Sequence, residues 1–317
     1  MRIAVYGAGG IGGFMGARLW QAGHDVALIA RGEHLRAIQA NGLQVEAPDG
    51  NFTAIPRIAT DDPSQVGVVD LVILGVKAWQ VPEAARALLP MVGPETRVMT
   101  IQNGVEAPYQ VAEVVPAEHV IAGVMYFQGI LVGPGVLKCT NPGVIDSYVG
   151  QFAPRSAGET EAVARVAGAL KSAGFRIAAP ESVHVAAWTK FAQGSARVGV
   201  EALSRAPLGG WRCVPATRDR YHRAGMEIAA IAGARGVALM DNYEPQLFEV
   251  IDSYPANHRT SAVRDILAGR PSEIDAMTGA VIRLGREAGV PTPVNEFINA
   301  ALLPQELKAR GQIGWPE

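Results

Sequence analysis

A strand, a glycine-rich turn and a helix in immediate succession leave a chain few ways to fold, and residues 1–31, MRIAVYGAGGIGGFMGARLWQAGHDVALIAR, read as that succession. The apolar run around Ile3 and Val5 has the unbroken hydrophobicity of a strand buried on both faces. It gives way to Gly7-Ala8-Gly9-Gly10-Ile11-Gly12, a G-x-G-x-x-G pattern, and then to a helix with Ile11, Met15, Leu19 and Ala22 on one face, ending at Gly23. A second strand, Val26 to Ala30, follows. Gly7 allows the tight turn, Gly9 admits a pyrophosphate close to the backbone, and Gly12 lets helix and strand pack closely. Gly10 and Ile11 fall in the first helical turn, where free N–H groups and the positive dipole end hold phosphates. A glycine turn with a purely structural role is the competing explanation. The strand before the motif, the helix after it and the correctly spaced second strand favour a bound dinucleotide.

The end of the second strand selects between dinucleotides. An acid there accepts hydrogen bonds from the adenosine ribose of NAD. Here the position holds Arg31, whose guanidinium suits a 2′-phosphate by charge and by bidentate geometry, so NADP(H) is expected. A surface arginine at a strand end is the alternative.

At 317 residues, 49% hydrophobic and 18% charged, the chain has ample core for two domains. A formal charge of −2 offers no reason to expect nucleic acid or an anionic membrane as partner. Cys139 and Cys213 lack metal or redox spacing, no metal site is expected, and a reducing compartment is implied. With neither a signal-peptide pattern nor an apolar run of membrane-spanning length, the expected location is the cytoplasm.

Glu33 to Ala40 reads as a short helix closed by Asn41-Gly42, and Leu43 to Ala59 as a hairpin inserted in the sheet around Asp49-Gly50. Asp70 to Val76 is a central parallel strand with Lys77-Ala78-Trp79 at its carboxyl end. Arg97 to Ile101 is another, ending in Gln102-Asn103-Gly104. Ligands bind at such ends in doubly wound sheets, although Lys77 also suits a solvated loop and Asn103-Gly104 a plain turn. The runs between Val120 and Tyr148, broken at Gly133-Pro134-Gly135 and Asn141-Pro142-Gly143, are expected to complete the sheet. A helix from about Thr160 to Ala173 and a strand from Phe175 to Ala179 follow, with a hinge at Pro180-Glu181-Ser182. Beyond it only helical periods remain, at 183–202, 217–236, 244–254, 258–268, 273–289 and 294–310. The expected fold is α/β: a Rossmann dinucleotide-binding domain over 1–180, then an all-helical domain over 181–317.

The glycine motif, Arg31, Val76-Lys77-Ala78-Trp79-Gln80, Gln102-Asn103-Gly104, Trp188-Thr189-Lys190-Phe191 and Pro271-Ser272-Glu273-Ile274-Asp275 together resemble the ketopantoate reductase (2-dehydropantoate 2-reductase) family over nearly the full length. The resemblance implies an active site between two domains. It implies Lys190 as catalytic lysine, Glu273 as the glutamate working with it, Asn103 near nicotinamide and substrate, and Lys77 in the cofactor cleft. Ser261 falls where the family holds the substrate carboxylate. The implied reaction is NADPH-dependent reduction of a 2-oxo acid, 2-dehydropantoate to pantoate in pantothenate biosynthesis, with a homodimer as the possible assembly. A paralogue acting on a bulkier or more apolar 2-oxo acid is the alternative, and a non-catalytic NADP(H)-binding protein a weaker one.

A lysine ammonium can polarise a carbonyl oxygen and protonate the alkoxide left by hydride addition, with a carboxylate to orient it. Taken alone, Lys190 is one lysine on a helix, and Ser272-x-x-Asp275 is a capping-box pattern that makes Glu273 a first-turn acid. Two positions depart from the family. Asparagines commonly stand four and eight residues after the lysine; here they are Gly194 and Val198. Arg197, within about 20° of Lys190 around the helix and roughly 10.5 Å along it, is either a substitute carboxylate clamp or a residue reaching solvent.

Overall fold

The computed structural model describes residues 1–140, 146–153, 160–240 and 242–315. The break expected at Asn141-Pro142-Gly143 lies outside them. The chain divides into two compact units, Met1–Gln102 with Ala107–Val183, and Asn103–Glu106 with His184–Glu317.

In the first unit β1 (Arg2–Tyr6), α1 (Gly10–Gln21), β2 (Asp25–Ile29) and α2 (Gly32–Asn41) build the opening motif. There follow β3 (Leu43–Glu46), β4 (Phe52–Ala54), β5 (Ile58–Thr60), β6 (Leu71–Leu74), α3 (Val81–Ala87), β7 (Arg97–Thr100) and α4 (Ala107–Ala112). The unit closes with β8 (Val120–Val124), β9 (Gly129–Gly133), β10 (Val136–Cys139), β11 (Ser147–Gln151), α5 (Glu161–Ser172) and β12 (Ile177–Ala178). The main sheet runs β12-β11-β8-β7-β6-β1-β2-β5 and is parallel except where β11 meets β8. Strand order reverses at β1, which pairs with β2 on one side and β6 on the other, so the glycine turn sits at the topological switch point. Both faces of the sheet are covered. Ile3 and Val5 pack with Phe14, Met15 and Leu19 of α1, while Ala4 and Tyr6 pack with Val81, Ala85 and Leu88. That two-sided burial is why β1 and β6 read as unbroken apolar runs.

Two sequence expectations need correction. The hairpin of β3 and β4 is not inserted in the main sheet, and β9 and β10 do not extend it. Together they form a separate sheet, β4-β3-β10-β9, against α1. The reason lies in their pattern. β3 alternates, with Leu43 and Val45 buried and Gln44 and Glu46 exposed, as a strand covered on one face does. A central parallel strand needs apolar residues on both faces.

The second unit holds α6 (Val183–Ser204), α7 (Leu208–Arg212), α8 (Pro215–Ala234), α9 (Tyr243–Ser253), α10 (Ser261–Leu267), α11 (Ala280–Ala288) and α12 (Pro293–Ala309). Its described residues contain no strand. A core of Trp188, Phe191, Trp211, Tyr221, Ile228, Ile231 and Leu247 holds it together. The helix expected over 273–289 starts later and differently, as a π-helical turn at Asp275–Gly279 leading into α11. Nor is Ser272 a helix cap. Its hydroxyl accepts from the Ile274 N–H at 3.3 Å, and Asp275 pairs with Arg283 at 2.8 Å instead of reaching back. No described helix is long and apolar enough to cross a membrane.

Candidate functional site

The glycine turn of the first unit has the shape a dinucleotide needs. Gly7 sits at φ +101°, where a side chain would be strained and a Cβ would run into the backbone of Gly75 and Val76. A Cβ on Gly12 would strike the Gly7 carbonyl oxygen, so the start of α1 packs tightly on the turn. At Gly9 a Cβ would meet nothing within 4 Å, which leaves the backbone open to approach. Gly10 is close-packed for another reason, since its missing Cβ faces the backbone of Gly129 on β9. Gly9 caps α1, so Gly10, Ile11 and Gly12 form the first turn, whose N–H groups lack intrahelical acceptors. These features fit a bound pyrophosphate.

Arg31 caps α2 at the carboxyl end of β2, its side chain 64% exposed and one terminal nitrogen 3.9 Å from a Glu83 oxygen. Lys77 is half-buried just after β6, with Nζ 6.0 Å from the centre of the Trp79 ring. His34 on α2 was invisible as a site residue in the sequence. Its Nδ1 accepts from the Gly135 N–H at 2.9 Å, so Nε2 carries the hydrogen and donates to the Ala8 carbonyl at 2.7 Å. It braces the glycine turn from outside, through partners too distant in sequence to leave a local pattern.

The second unit contains a polar chain of three residues. Lys190 Nζ donates to Asn103 Oδ1 at 3.3 Å, and Asn103 Nδ2 donates to Glu273 Oε2 at 3.0 Å. Lys190 comes from the second turn of α6, Glu273 from the segment before the π-helical turn, and Asn103 from the strand-end tripeptide after β7. The 103–106 stretch is secured here at three points. Besides the Asn103 bond, the Gly104 position sits so close to the Ala276 carbonyl that a Cβ would be 2.5 Å from its oxygen, and Glu106 pairs with Arg283 at 2.8 Å. Glu273 is 6% exposed. Burial pushes the Lys190 ammonium down to about 8, against an opposing pull from Glu273. A lysine so placed carries a proton at neutral pH and gives it up readily.

The remaining expected residues fall on the same unit. Arg197 is buried, which removes the alternative that it reaches solvent. Its Nε donates to Glu201 at 3.2 Å and one terminal nitrogen to His258 Nδ1 at 2.6 Å, with the Tyr254 ring 5.0 Å from its guanidinium carbon. Ser261 is exposed at the first position of α10, where Thr260 is the cap. Val198 is buried, and a Cβ on Gly194 would lie 3.6 Å from the Met277 methyl. Neither position offers a hydrogen-bonding side chain on the face of α6 that also carries Lys190 and Arg197. No group of His, Cys, Asp and Glu suited to a metal occurs among the described residues.

Comparison with known proteins places the chain in a family. The sequence model described as Ketopantoate reductase PanE/ApbA matches residues 3–153, and that described as Ketopantoate reductase PanE/ApbA C terminal matches 182–306. A 2-dehydropantoate 2-reductase of Mesorhizobium japonicum is 31% identical over 317 residues, covering 95% of this chain and 96% of that protein. The crystal structure of a PanE/ApbA family ketopantoate reductase from Ralstonia eutropha JMP134 superposes with a TM-score of 0.88 at 29% identity, over 98% of this chain and 100% of that one. A D-mandelate dehydrogenase solved with NADH and anilino(oxo)acetate gives 0.87 at 25% identity, over 98% and 100%. The chain belongs to the ketopantoate reductase (PanE/ApbA) family, and is an oxidoreductase that uses a nicotinamide dinucleotide and a small oxo acid.

Proposed function

We propose that this protein reduces a 2-oxo acid to the 2-hydroxy acid with NADPH, residues 1–180 binding the nucleotide and 181–317, with Asn103, supplying the catalytic groups. The observation that carries the reading is the Lys190–Asn103–Glu273 chain. When bound, reduced nicotinamide supplies hydride to the substrate's carbonyl carbon. The residues of the chain act on the oxygen. The Lys190 ammonium polarises the carbonyl, stabilises the developing alkoxide and transfers its proton to that oxygen. Asn103 fixes the direction of the ammonium through Oδ1, and Glu273 keeps it charged in a desolvated place. A protein that only bound nucleotide would have no use for a partly desolvated ammonium in such a chain. Ser261 is assigned to the substrate carboxylate. Arg197, committed to Glu201 and His258, is assigned to securing the 254–260 segment against α6. Arg31, with no acid in its place, supports NADPH over NADH, and Lys77 is assigned to the nucleotide phosphates.

Two substrate readings stand on separate observations. The names of relatives such as the Mesorhizobium japonicum enzyme support 2-dehydropantoate. Gly194 and Val198, with Met277 beside the first, favour a bulkier, more apolar 2-oxo acid, and the likeness to a D-mandelate dehydrogenase supports the same direction. The test is NADPH and NADH oxidation at pH 7 against 2-dehydropantoate and a series of alkyl- and aryl-substituted 2-oxo acids. Turnover with at least one 2-oxo acid, faster with NADPH, is expected. No turnover with any of them, in a protein that binds NADPH, would refute the enzymatic reading.

A further inference from the structure

Glu273 reaches Asn103 from a short irregular segment, and neither peptide plane flanking it belongs to a regular helix. Both are nonetheless tied down. In the plane before it, the Ser272 carbonyl accepts from an Arg310 terminal nitrogen at 3.1 Å. In the plane after it, the Ile274 N–H donates to Ser272 Oγ at 3.3 Å. Ser272 itself is held by Glu306, whose carboxylate accepts the Ser272 N–H at 3.0 and 3.1 Å and the Ser272 hydroxyl at 2.6 Å. Arg310 Nε donates to that carboxylate at 2.7 Å. Ser272 is fully buried and Glu306 5% exposed. Glu306 and Arg310 stand one turn apart at the end of the last helix, and their charges are matched. Downstream, the Ile274 carbonyl accepts from the Gly279 N–H at 3.1 Å, the five-residue closure of the π turn, and from Thr278 Oγ1 at 3.3 Å.

With the planes on either side held, the Cα–Cβ direction of the residue between them is set by the two torsions at its own Cα. We infer that Glu306, with Arg310 and Ser272, is a positioning device that aims the Glu273 carboxylate at Asn103 and Lys190. This rests on the proposed roles of Lys190 and Glu273. A buried carboxylate that accepts three hydrogen bonds and pairs with an arginine is a strong local restraint. A shift of about 1 Å at a reacting group costs up to about 10²-fold in rate. None of these three residues touches substrate or nucleotide in this assignment; they act through Glu273.

The test compares Glu306→Gln, Ser272→Ala, Ser272→Thr and Glu273→Gln with the wild-type chain, using the best 2-oxo acid of the series and NADPH. Ser272→Ala keeps the backbone bonds to Glu306 and serves if Glu306→Gln does not fold. Glu306→Gln and Ser272→Ala are expected to lower kcat about 10–100-fold with the KM for NADPH unchanged, and Ser272→Thr to restore it. Independently of activity, the Lys190 ammonium is titrated by NMR in nucleotide-free protein carrying labelled lysine. It should lose its proton at lower pH in Glu306→Gln and Ser272→Ala, because a displaced Glu273 supports the charge less. Loss of kcat with an unmoved Lys190 titration, and no rescue by Ser272→Thr, would make the cluster merely structural and overturn the inference. So would wild-type kcat in both variants while Glu273→Gln is impaired. If Glu273→Gln itself turns over normally, the assigned role of Glu273 fails first and takes the inference with it.

Discussion

In the proposed mechanism the proton on Lys190 sets what the enzyme can do at each pH. With the ammonium held at about 8, roughly nine molecules in ten carry it at pH 7. If reduction consumes that proton, as proposed, kcat is expected to be flat below about pH 7 and to fall about tenfold per unit well above 8. Oxidation of the 2-hydroxy acid needs the neutral amine and should rise over the same range. Lys190→Ala should lower turnover about 10²–10⁴-fold with nucleotide affinity unchanged. Near-normal turnover in that variant, or a pH profile level to 10, would take the lysine out of the mechanism. The role proposed for Arg31 bears on nucleotide affinity alone. Arg31→Ala is expected to weaken NADPH by about 1.5–3 kcal/mol, the range for a hydrogen bond to a charged group, and to spare NADH. Its exposure places it at the low end. Equal losses for both nucleotides, by calorimetric titration, would count against it. Of these residues, Arg31 is proposed from its place at a strand end. Lys190 and Glu273 stood out only through resemblance. That Asn103 links them was not readable, because its partners lie 87 and 170 residues away.

At the scale of an element, α6 carries more of the candidate site than any other. Its helical period was plain in the sequence, and so was the face shared by Lys190, Gly194 and Arg197. What lay opposite that face was not. Met277 comes from the π-helical turn, and a local pattern carries no record of a residue brought in from another element. The short helices α3, α4 and α7 have no counterpart in the expected elements; five to seven residues give a period little room to show, although α10, also seven residues, falls within the period at 258–268. Gly194 and Val198, which offer no hydrogen-bonding side chain, yield a substrate prediction. A polar oxygen of 2-dehydropantoate left unpaired there costs about 1–3 kcal/mol. The kcat/KM for 2-dehydropantoate should therefore lie below that for larger apolar 2-oxo acids, and Gly194→Asn with Val198→Asn should narrow the gap, provided the Met277 methyl gives way. 2-Dehydropantoate as the best wild-type substrate, with no gain in the double variant, would show this wall to be irrelevant. Further along the helix, Arg197 neutralises Glu201, which is fully buried and whose carboxyl burial pushes up while Arg197 pulls it back. Arg197→Met should cost about 3–5 kcal/mol in urea unfolding, and adding Glu201→Gln should recover part of it.

For the molecule as a whole, the sequence revealed the α/β class and the helical second half more fully than the partition of strands. Continuous apolar runs marked β1 and β6 as central, but the alternation of β3 that signals a separate sheet looked equally like an inserted hairpin. Two histidines, one in each unit, make stability depend on pH. Burial and the charges of Arg197 and Arg264 push His258 down to about 4; burial and the terminal amine lower His24 as well. In each the folded state disfavours the charged ring, so the unfolded chain binds the proton first as pH falls below about 6.5. The free energy of unfolding should be undiminished by these groups above 6.5 and decline towards pH 4. Asp252, lowered by its hydrogen bonds to Arg218, loses its contribution only below the usual carboxylate value and stays outside that window. Glu201, raised by burial, has the opposite sign, because its folded form takes the proton first. Comparing two proteins that both contain Glu201 largely removes that opposing effect. His258→Gln keeps an acceptor for Arg197 but cannot be protonated in this range. Urea unfolding at pH 7 and at pH 4.5 should show a smaller loss of stability in His258→Gln than in the wild type. An equal loss would mean that the ring gains its proton as easily folded as unfolded, and that the Arg197 contact places no restriction on its charge.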